Sequence, residues 1–307
     1  MTRIILFLAG EKGHAVLRRL VEKYKENIGI VVSFHEVGVE KDWYDDISNL
    51  CGEHRISFYE WKDIKFHLDS VLKSNSITSA IAISWRFLIP LSINDVLENK
   101  LIVFHDSLLP KYRGFAPVVT ALLNGDDEIG ATALFAVWEV DKGDIILQKS
   151  ISVGQDMSIA DIIHKMSSLY SDMAAEIVEK ILSGGELFAF QQDESKASYS
   201  VWRDEDDYWI DWTKPSRDIA AFVRAVGSPY KGAKCFAGED LIRIDKVSIV
   251  TNELFFPIRQ PGKIWELNSG KPIVICGQGM LCIESAKYEN GEQYHFSRLR
   301  LRLRSGL

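Results

Sequence analysis

The sequence lacks any close pair of cysteines. Its four, Cys51, Cys235, Cys276 and Cys282, are scattered and form no CxxC motif. That argues against a disulfide framework or a zinc ribbon and for reduced thiols in a cytoplasmic protein. The seven histidines form no HExxH or similar helical pair, so no metal is expected and catalysis falls to organic groups. Every apolar run is too short to span a bilayer, so no membrane partner is expected. The start, Met1-Thr-Arg-Ile-Ile-Leu-Phe-Leu-Ala-Gly10, leads into Glu11-Lys12 without a cleavage pattern and reads as a buried strand rather than a signal peptide. An excess of positive charge is missing too. With 36 Lys and Arg against 43 Asp and Glu the net charge is −7, which disfavours a protein that binds chiefly by neutralising nucleic-acid phosphates. The first turn, Ala9-Gly-Glu-Lys-Gly-His14, lacks the full GxGxxG, and no acidic partner is recognised after the second strand, so a dinucleotide site is disfavoured. A tight turn whose helix-terminus amides meet a substrate phosphate stays open.

What is present is an ordinary globular composition, 47% hydrophobic and 26% charged, in a chain of 307 residues that suits two domains. Over the first two-thirds, apolar runs alternate with amphipathic helical patterns. Strands are expected at 3–8, 28–34, 56–59, 79–84, 101–105, 131–138 and 145–153, and helices at 14–25, 43–54, 64–72, 117–123 and 159–182. This alternation predicts an α/β fold, a doubly wound, mainly parallel, Rossmann-like sheet. Residues 184–207 lose periodicity and read as a linker. After a helix at 216–226, glycines at short intervals give a small, barrel-like β composition. The expected domains are 1–185 and 213–307, joined by 186–212. The closing run Ser297-Arg-Leu-Arg-Leu-Arg-Leu-Arg304 alternates strictly and predicts a strand with its arginines on one face, either a phosphate contact or a solvated edge.

The candidate chemistry sits where the apolar run Leu101-Ile-Val-Phe-His105 breaks into the polar loop Asp106-Ser-Leu-Leu-Pro-Lys-Tyr-Arg-Gly-Phe-Ala-Pro117. Open parallel sheets bind ligands outside the carboxyl ends of their strands, which singles out His105. On the residues alone, His105 is either a titratable active-site group or a histidine that hydrogen-bonds its loop.

The segment His105-x-Ser-Leu-Leu-Pro-x-Tyr-Arg-Gly-x-x-Pro117, followed by Val140-Asp-Lys-Gly-Asp144, resembles the signature of the folate-dependent formyltransferases. That family includes methionyl-tRNA formyltransferase and the sugar-nucleotide N-formyltransferases, and the chain is most like the latter. Ser84-Trp-Arg-Phe-Leu-Ile89 is similar to the family's folate-side loop. Residues 202–211 and Phe222-Val-Arg-Ala-Val-Gly-Ser-Pro-Tyr-Lys-Gly232 look like its bridge into a C-terminal OB-like β domain. The likeness covers essentially the whole chain. It implies transfer of a formyl group from N10-formyltetrahydrofolate, a co-substrate, to a primary amine. It also implies catalytic roles for His105 and Asp141, and a folate slot formed by Arg86, Phe87, Leu88 and Ile89 with Val137, Val140 and Asp141. Taken alone, Asp141 reads as a turn residue of Asp-Lys-Gly-Asp; beside His105 in the family's signature it reads as a site residue.

One position departs from the family. Where it has an Asn two residues before the His, this chain has Val103, which has no hydrogen-bond donor for the oxyanion of the transfer. Three explanations stand: His105 acts with backbone amides, Asp106 changes how protons are shared, or the protein binds folate without efficient turnover. For the acceptor, Lys12, His14, Ser107, Lys111, Tyr112, Arg113 and Gly114 are the expected site of a nucleotide-linked amino sugar, a surface-polysaccharide precursor. The alternative acceptor is initiator methionyl-tRNA. Against it, Glu36, Glu40, Asp42, Asp45 and Asp46 follow the second strand and are expected to repel a phosphate backbone. A homodimer is a further expectation.

Overall fold

The computed structural model describes residues 2–38, 41–98, 100–154, 156–252 and 254–306; Glu40 lies outside them. The chain divides into two compact units, 1–118 with 127–153 and 161–201, and 119–126 with 154–160 and 202–307.

In the first unit the described residues form a seven-stranded sheet. In chain order its strands are β1 Ile4–Leu8, β2 Ile28–Ser33, β3 Ser57–Glu60, β4 Ser79–Ile83 and β5 Ile102–His105, then β7 Glu128–Phe135 and β8 Ile145–Ser152, with the short β6 Arg113–Gly114 lying outside it. The spatial order is β3-β2-β1-β4-β5-β7-β8. β1 to β5 are mutually parallel, whereas β7 runs antiparallel to β5 and β8 antiparallel to β7. The chain therefore winds from β1 out to β3, returns to β4 on the other side of β1 and continues, as expected of a doubly wound sheet. The uninterrupted apolar runs explain why. β1, β2 and β4 are buried at every position, as strands covered on both faces must be, and only an apolar run with no solvent-facing alternation can fill that place.

Most elements fall within a few residues of expectation, and the helices Ile159–Leu182 and Ser216–Val226 match it. The helix expected at 64–72 is instead two short helices, Trp61–Ile64 and Leu68–Ser74; the break still sends Trp61, Ile64, Leu68 and Leu72 into the core. Residues 186–201 of the expected linker are part of the first unit. There the short strand β9 Tyr199–Ser200 pairs in parallel with β6.

The second unit carries an antiparallel sheet of β10 Ala233–Ala237, β11 Asp240–Ile249, β12 Ile264–Asn268, β13 Lys271–Ile275, β14 Met280–Tyr288 and β15 Leu303–Arg304, in the order β12-β13-β14-β11-β10-β15. Its two ends approach closure, since Ile264 N donates to Leu301 O and Leu303 N to Gly262 O. The strand expected at 297–304 shrinks to Leu303–Arg304. Leu303 is buried and Arg298, Arg300, Arg302 and Arg304 are exposed, but Leu299 is exposed as well, so the alternation has a core to bury against only at its end.

An ion cluster ties this unit together. Glu205 accepts from Lys231, from Arg243 Nη2 at 2.8 Å and from Lys234 Nζ at 3.3 Å, and the last two side chains are almost wholly buried. The Lys231 bond, with those from Arg243 and Lys234, outweighs burial and holds the Glu205 carboxyl at about 2, down from an ordinary 4.5. A depressed carboxyl stabilises the fold above its unfolded value, and that stability is lost as pH falls through the folded value. Acid denaturation should therefore steepen between pH 4.5 and about 2, and Glu205→Gln should flatten this limb in melts recorded across that range.

Candidate active site

β5 delivers His105 to a buried position 8% exposed. Its Nε2 lies 2.8 Å from the Tyr112 carbonyl, and since a carbonyl only accepts, that contact is a hydrogen bond when Nε2 carries the proton. The loop joining β7 to β8 then folds so that Asp141 Oδ2 lies 3.5 Å from His105 Nδ1. Asp141 is held in this approach at φ +59°, and the same oxygen accepts the Gly114 amide at 2.8 Å. Gly143 lets the loop close, because a Cβ there would fall 1.7 Å from the Phe135 carbonyl oxygen. Two residues read from separate motifs are thereby brought together across 36 positions of sequence.

Val103 lies one pleat before His105 on the same strand, beside Ala82 of β4 and Leu134 of β7. It packs against Leu109, Leu134 and Ile145, and against the larger cluster that also receives Trp85, Ile89 and Ala136. The position where the family has an amide is an apolar wall.

Asp106, next to the histidine, belongs to a separate buried network. Its Oδ2 accepts from Lys12 Nζ and its Oδ1 from the Tyr170 hydroxyl, both at 2.5 Å, and the Lys12 ammonium sits 5.3 Å from the Tyr170 ring centre. Burial pushes the Asp106 carboxyl up, but the adjacent Lys12 charge and the two hydrogen bonds outweigh it and hold the group below the usual carboxylate range. The Tyr170 hydroxyl is raised well above its ordinary value by burial and by the Asp106 charge.

The residues expected at the acceptor are not all presented to a ligand. Arg113 is 1% exposed and is spent inside the protein: it forks onto Glu194 at 2.6 and 2.9 Å and onto Gln192 Oε1 at 2.7 and 3.1 Å. Lys12 is committed to Asp106. Ser107 is buried, donating to the Lys111 carbonyl, while Thr132 Oγ1 donates to the Ser107 carbonyl at 2.6 Å. His14 lies 5.0 Å from Trp43, ring to ring, and burial lowers its proton affinity. Tyr112 is buried at φ +59°, and its amide bonds Ser198 Oγ. Gly114, at φ +100°, is a backbone site, where a Cβ would meet the Ser200 carbonyl at 2.5 Å. Lys111 remains exposed, its ammonium 4.7 Å from the Tyr112 ring centre.

The first turn also differs from expectation. Glu36, three residues past β2, reaches back over Gly10, whose amide bonds its carboxylate, and Arg86 Nη2 pairs with it at 2.8 Å. An acidic residue past the second strand therefore does reach the first turn, at the helix terminus that the sequence leaves open to a substrate phosphate. Burial raises the Glu36 carboxyl, and the Arg86 charge partly offsets that. Asp42 and Asp46 are likewise paired, with His35 and Lys41, which weakens the expected repulsion of a phosphate backbone.

The expected folate residues keep an apolar surface at hand. Leu88 is 84% exposed and Trp138 90%, with Phe87, Val137 and Val140 also exposed and Ile89 packed on the core. At the end of β4, Ser84 Oγ and Trp85 Nε1 are buried without a hydrogen-bond partner among the described residues. The exposed apolar side chains fit one face of a heteroaromatic ligand.

Fold and site together define an α/β enzyme with a histidine–carboxylate centre at the end of its fifth strand. The chain belongs to the formyl transferase family: its residues 7–178 match the formyl transferase domain and 203–299 the formyl transferase C-terminal domain. It is thus a folate-dependent formyltransferase. Among relatives, a methionyl-tRNA formyltransferase of Fusobacterium nucleatum is 27% identical over 252 residues, 81% of this chain and 80% of that protein. Two solved structures share the fold at a TM-score of 0.70. One is WlaRD, a sugar 3N-formyl transferase crystallised with dTDP and 5-N-formyl-THF, 16% identical and covering 97% of this chain and 99% of that one. The other is an N-formyltransferase from Helicobacter canadensis with folinic acid and dTDP-3-aminofucose, 15% identical and covering 96% and 100%.

Proposed function

We propose that the chain transfers the formyl group of N10-formyltetrahydrofolate to the primary amine of a nucleotide-linked amino sugar, with His105 and Asp141 as its catalytic pair. The observation that carries formyl transfer is the approach of Asp141 to His105 Nδ1 at 3.5 Å inside the signature loop. The donor supplies the formyl group and leaves as tetrahydrofolate. The acceptor nitrogen bonds the formyl carbon, the bond from that carbon to N10 breaks, and the amine proton passes to N10. His105 carries that proton from the edge facing Asp141, where the contact is longer than a hydrogen bond and leaves the ring nitrogen able to exchange. Asp141 faces the imidazole edge from which the proton passes and sets its orientation. With Val103 unable to donate and both His105 nitrogens turned to the Tyr112 carbonyl and the Asp141 carboxylate, the oxyanion depends on backbone amides.

The donor lies along Phe87, Leu88 and Ile89, with Val137 and Val140 closing the slot. Leu88→Trp should fill this slot and weaken binding of a folate analogue by at least about tenfold, each tenfold being about 1.4 kcal/mol. A fluorescence titration that gives unchanged affinity would remove the slot from the account.

The acceptor reading draws support from charge. The net charge is −7, and Arg113 and Lys12 of the signature loop and first turn are bonded internally rather than offered to a polynucleotide. The sugar enzymes of the same fold accommodate dTDP or a dTDP-amino sugar. Transfer to methionyl-tRNA is the second reading, favoured by the naming of the sequence relatives. Salt separates them: binding of charged initiator tRNA that falls steeply with log salt supports the second reading, and binding of a nucleotide-linked amino sugar with tRNA left in solution supports the first.

A further inference from the structure

Gln192 lies in a segment without periodicity, in a Gln-Gln pair that carries no motif, yet it joins the two sides of the site. Its Nε2 donates to the Asp141 carbonyl at 2.7 Å and to the Gly143 carbonyl at 2.8 Å, which uses both amide protons. Its Oε1 accepts both Nε and Nη2 of the buried Arg113. Arg113 is fixed in turn by Glu194, and its neighbour Gly114 gives its amide to the Asp141 carboxylate. The ring of contacts closes: Arg113 to Gln192, Gln192 to the backbone of Asp141, the Asp141 carboxylate to Gly114. Asp141 sits at φ +59°, where a non-glycine residue stays only if its surroundings hold it. Both side-chain functions of Gln192 are spent on that task.

The geometry points to Gln192 as a positioning residue for the reaction, which acts through Asp141 and sets the approach of its carboxylate to His105. On the same grounds Arg113 anchors Gln192 rather than a substrate phosphate. This rests on the reading that Asp141 serves the transfer. Each of the two carbonyls is held by one amide proton, so losing those protons lets the Asp141–Gly143 turn relax and lengthens the contact to His105. Supporting hydrogen bonds of this kind around a reacting group change activity by about 10–100-fold when removed.

The test compares Gln192→Leu, Asp141→Asn and the double variant in formyl transfer with N10-formyltetrahydrofolate, with exposed Gln191→Leu as a control. Gln192→Leu should lower kcat by about 10–100-fold, leave KM for the folate donor nearly unchanged and displace the pH–rate profile, while Gln191→Leu does none of these. In the Asp141→Asn background the same change should add almost nothing, because the two act through one contact. Gln192→Glu keeps the acceptor for Arg113 but places an oxygen against two carbonyls. It should reproduce the loss, and it serves if the leucine variant does not fold. If Asp141→Asn cuts kcat while the Gln192 variants leave kcat and pH profile intact, or if their loss multiplies fully with that of Asp141→Asn, the positioning role is overturned. Unchanged kcat in Asp141→Asn would instead overturn the underlying assignment of Asp141.

Discussion

His105→Ala should lower the rate of formyl transfer by about 10²–10⁴-fold, the usual contribution of a positioned acid or base. The side chain is almost buried, and its two ring nitrogens face the Tyr112 carbonyl and the Asp141 carboxylate. Alanine removes the proton carrier, while the fold loses one hydrogen bond to a loop already tied by Ser107, Thr132 and Ser198. The loss should therefore fall on kcat, with folate affinity and melting temperature changing far less. Single-turnover transfer with saturating donor measures this, and unimpaired transfer would remove His105 from the mechanism.

The second large effect is a gain. Val103→Asn places an amide donor where the family carries one, and a single oxyanion donor is worth about 10²–10³-fold in kcat. The expected result is a rise in kcat toward that ceiling. Stability should fall by about 1–3 kcal/mol, because a polar amide replaces methyl groups packed on Leu109, Leu134 and Ile145. Transfer kinetics beside a thermal melt separate the two effects. A stable Val103→Asn protein with unchanged kcat would mean that another group already holds the oxyanion. If the parent chain binds folate and transfers to no amine, yet Val103→Asn turns over, valine is what disabled it.

The parts of this molecule that were legible in the sequence are those decided locally. The buried strands β1, β2 and β4 read directly from apolar runs, and the helix Ser216–Val226 from its periodicity. The approach of His105 to Asp141 was legible because both stand in motifs. Charged residues were harder, since a cation in a polar loop looks the same whether it faces solvent or a carboxylate of the same protein. Arg113 is bonded to a partner 81 residues away and Lys12 to one 94 residues away, distances that no local pattern reports. The reach of Glu36 to the first turn was illegible for a similar reason: the chain past β2 turns back over Gly10, and the length of that excursion depends on a loop rather than on a periodic element. Gln192 had no signal at all, because its role exists only once the segment 192–200 has packed on β6.

The most direct test of the account is turnover. The protein is incubated with N10-formyltetrahydrofolate and a panel of nucleotide-linked amino sugars beside charged initiator tRNA, and each acceptor is weighed by mass spectrometry. The account predicts that an amino sugar gains the mass of one formyl group, with tetrahydrofolate released in equal amount, and that His105→Ala abolishes the gain. A formyl group found on methionyl-tRNA alone would contradict the assigned acceptor, and folate binding without transfer to any amine would contradict the assigned reaction.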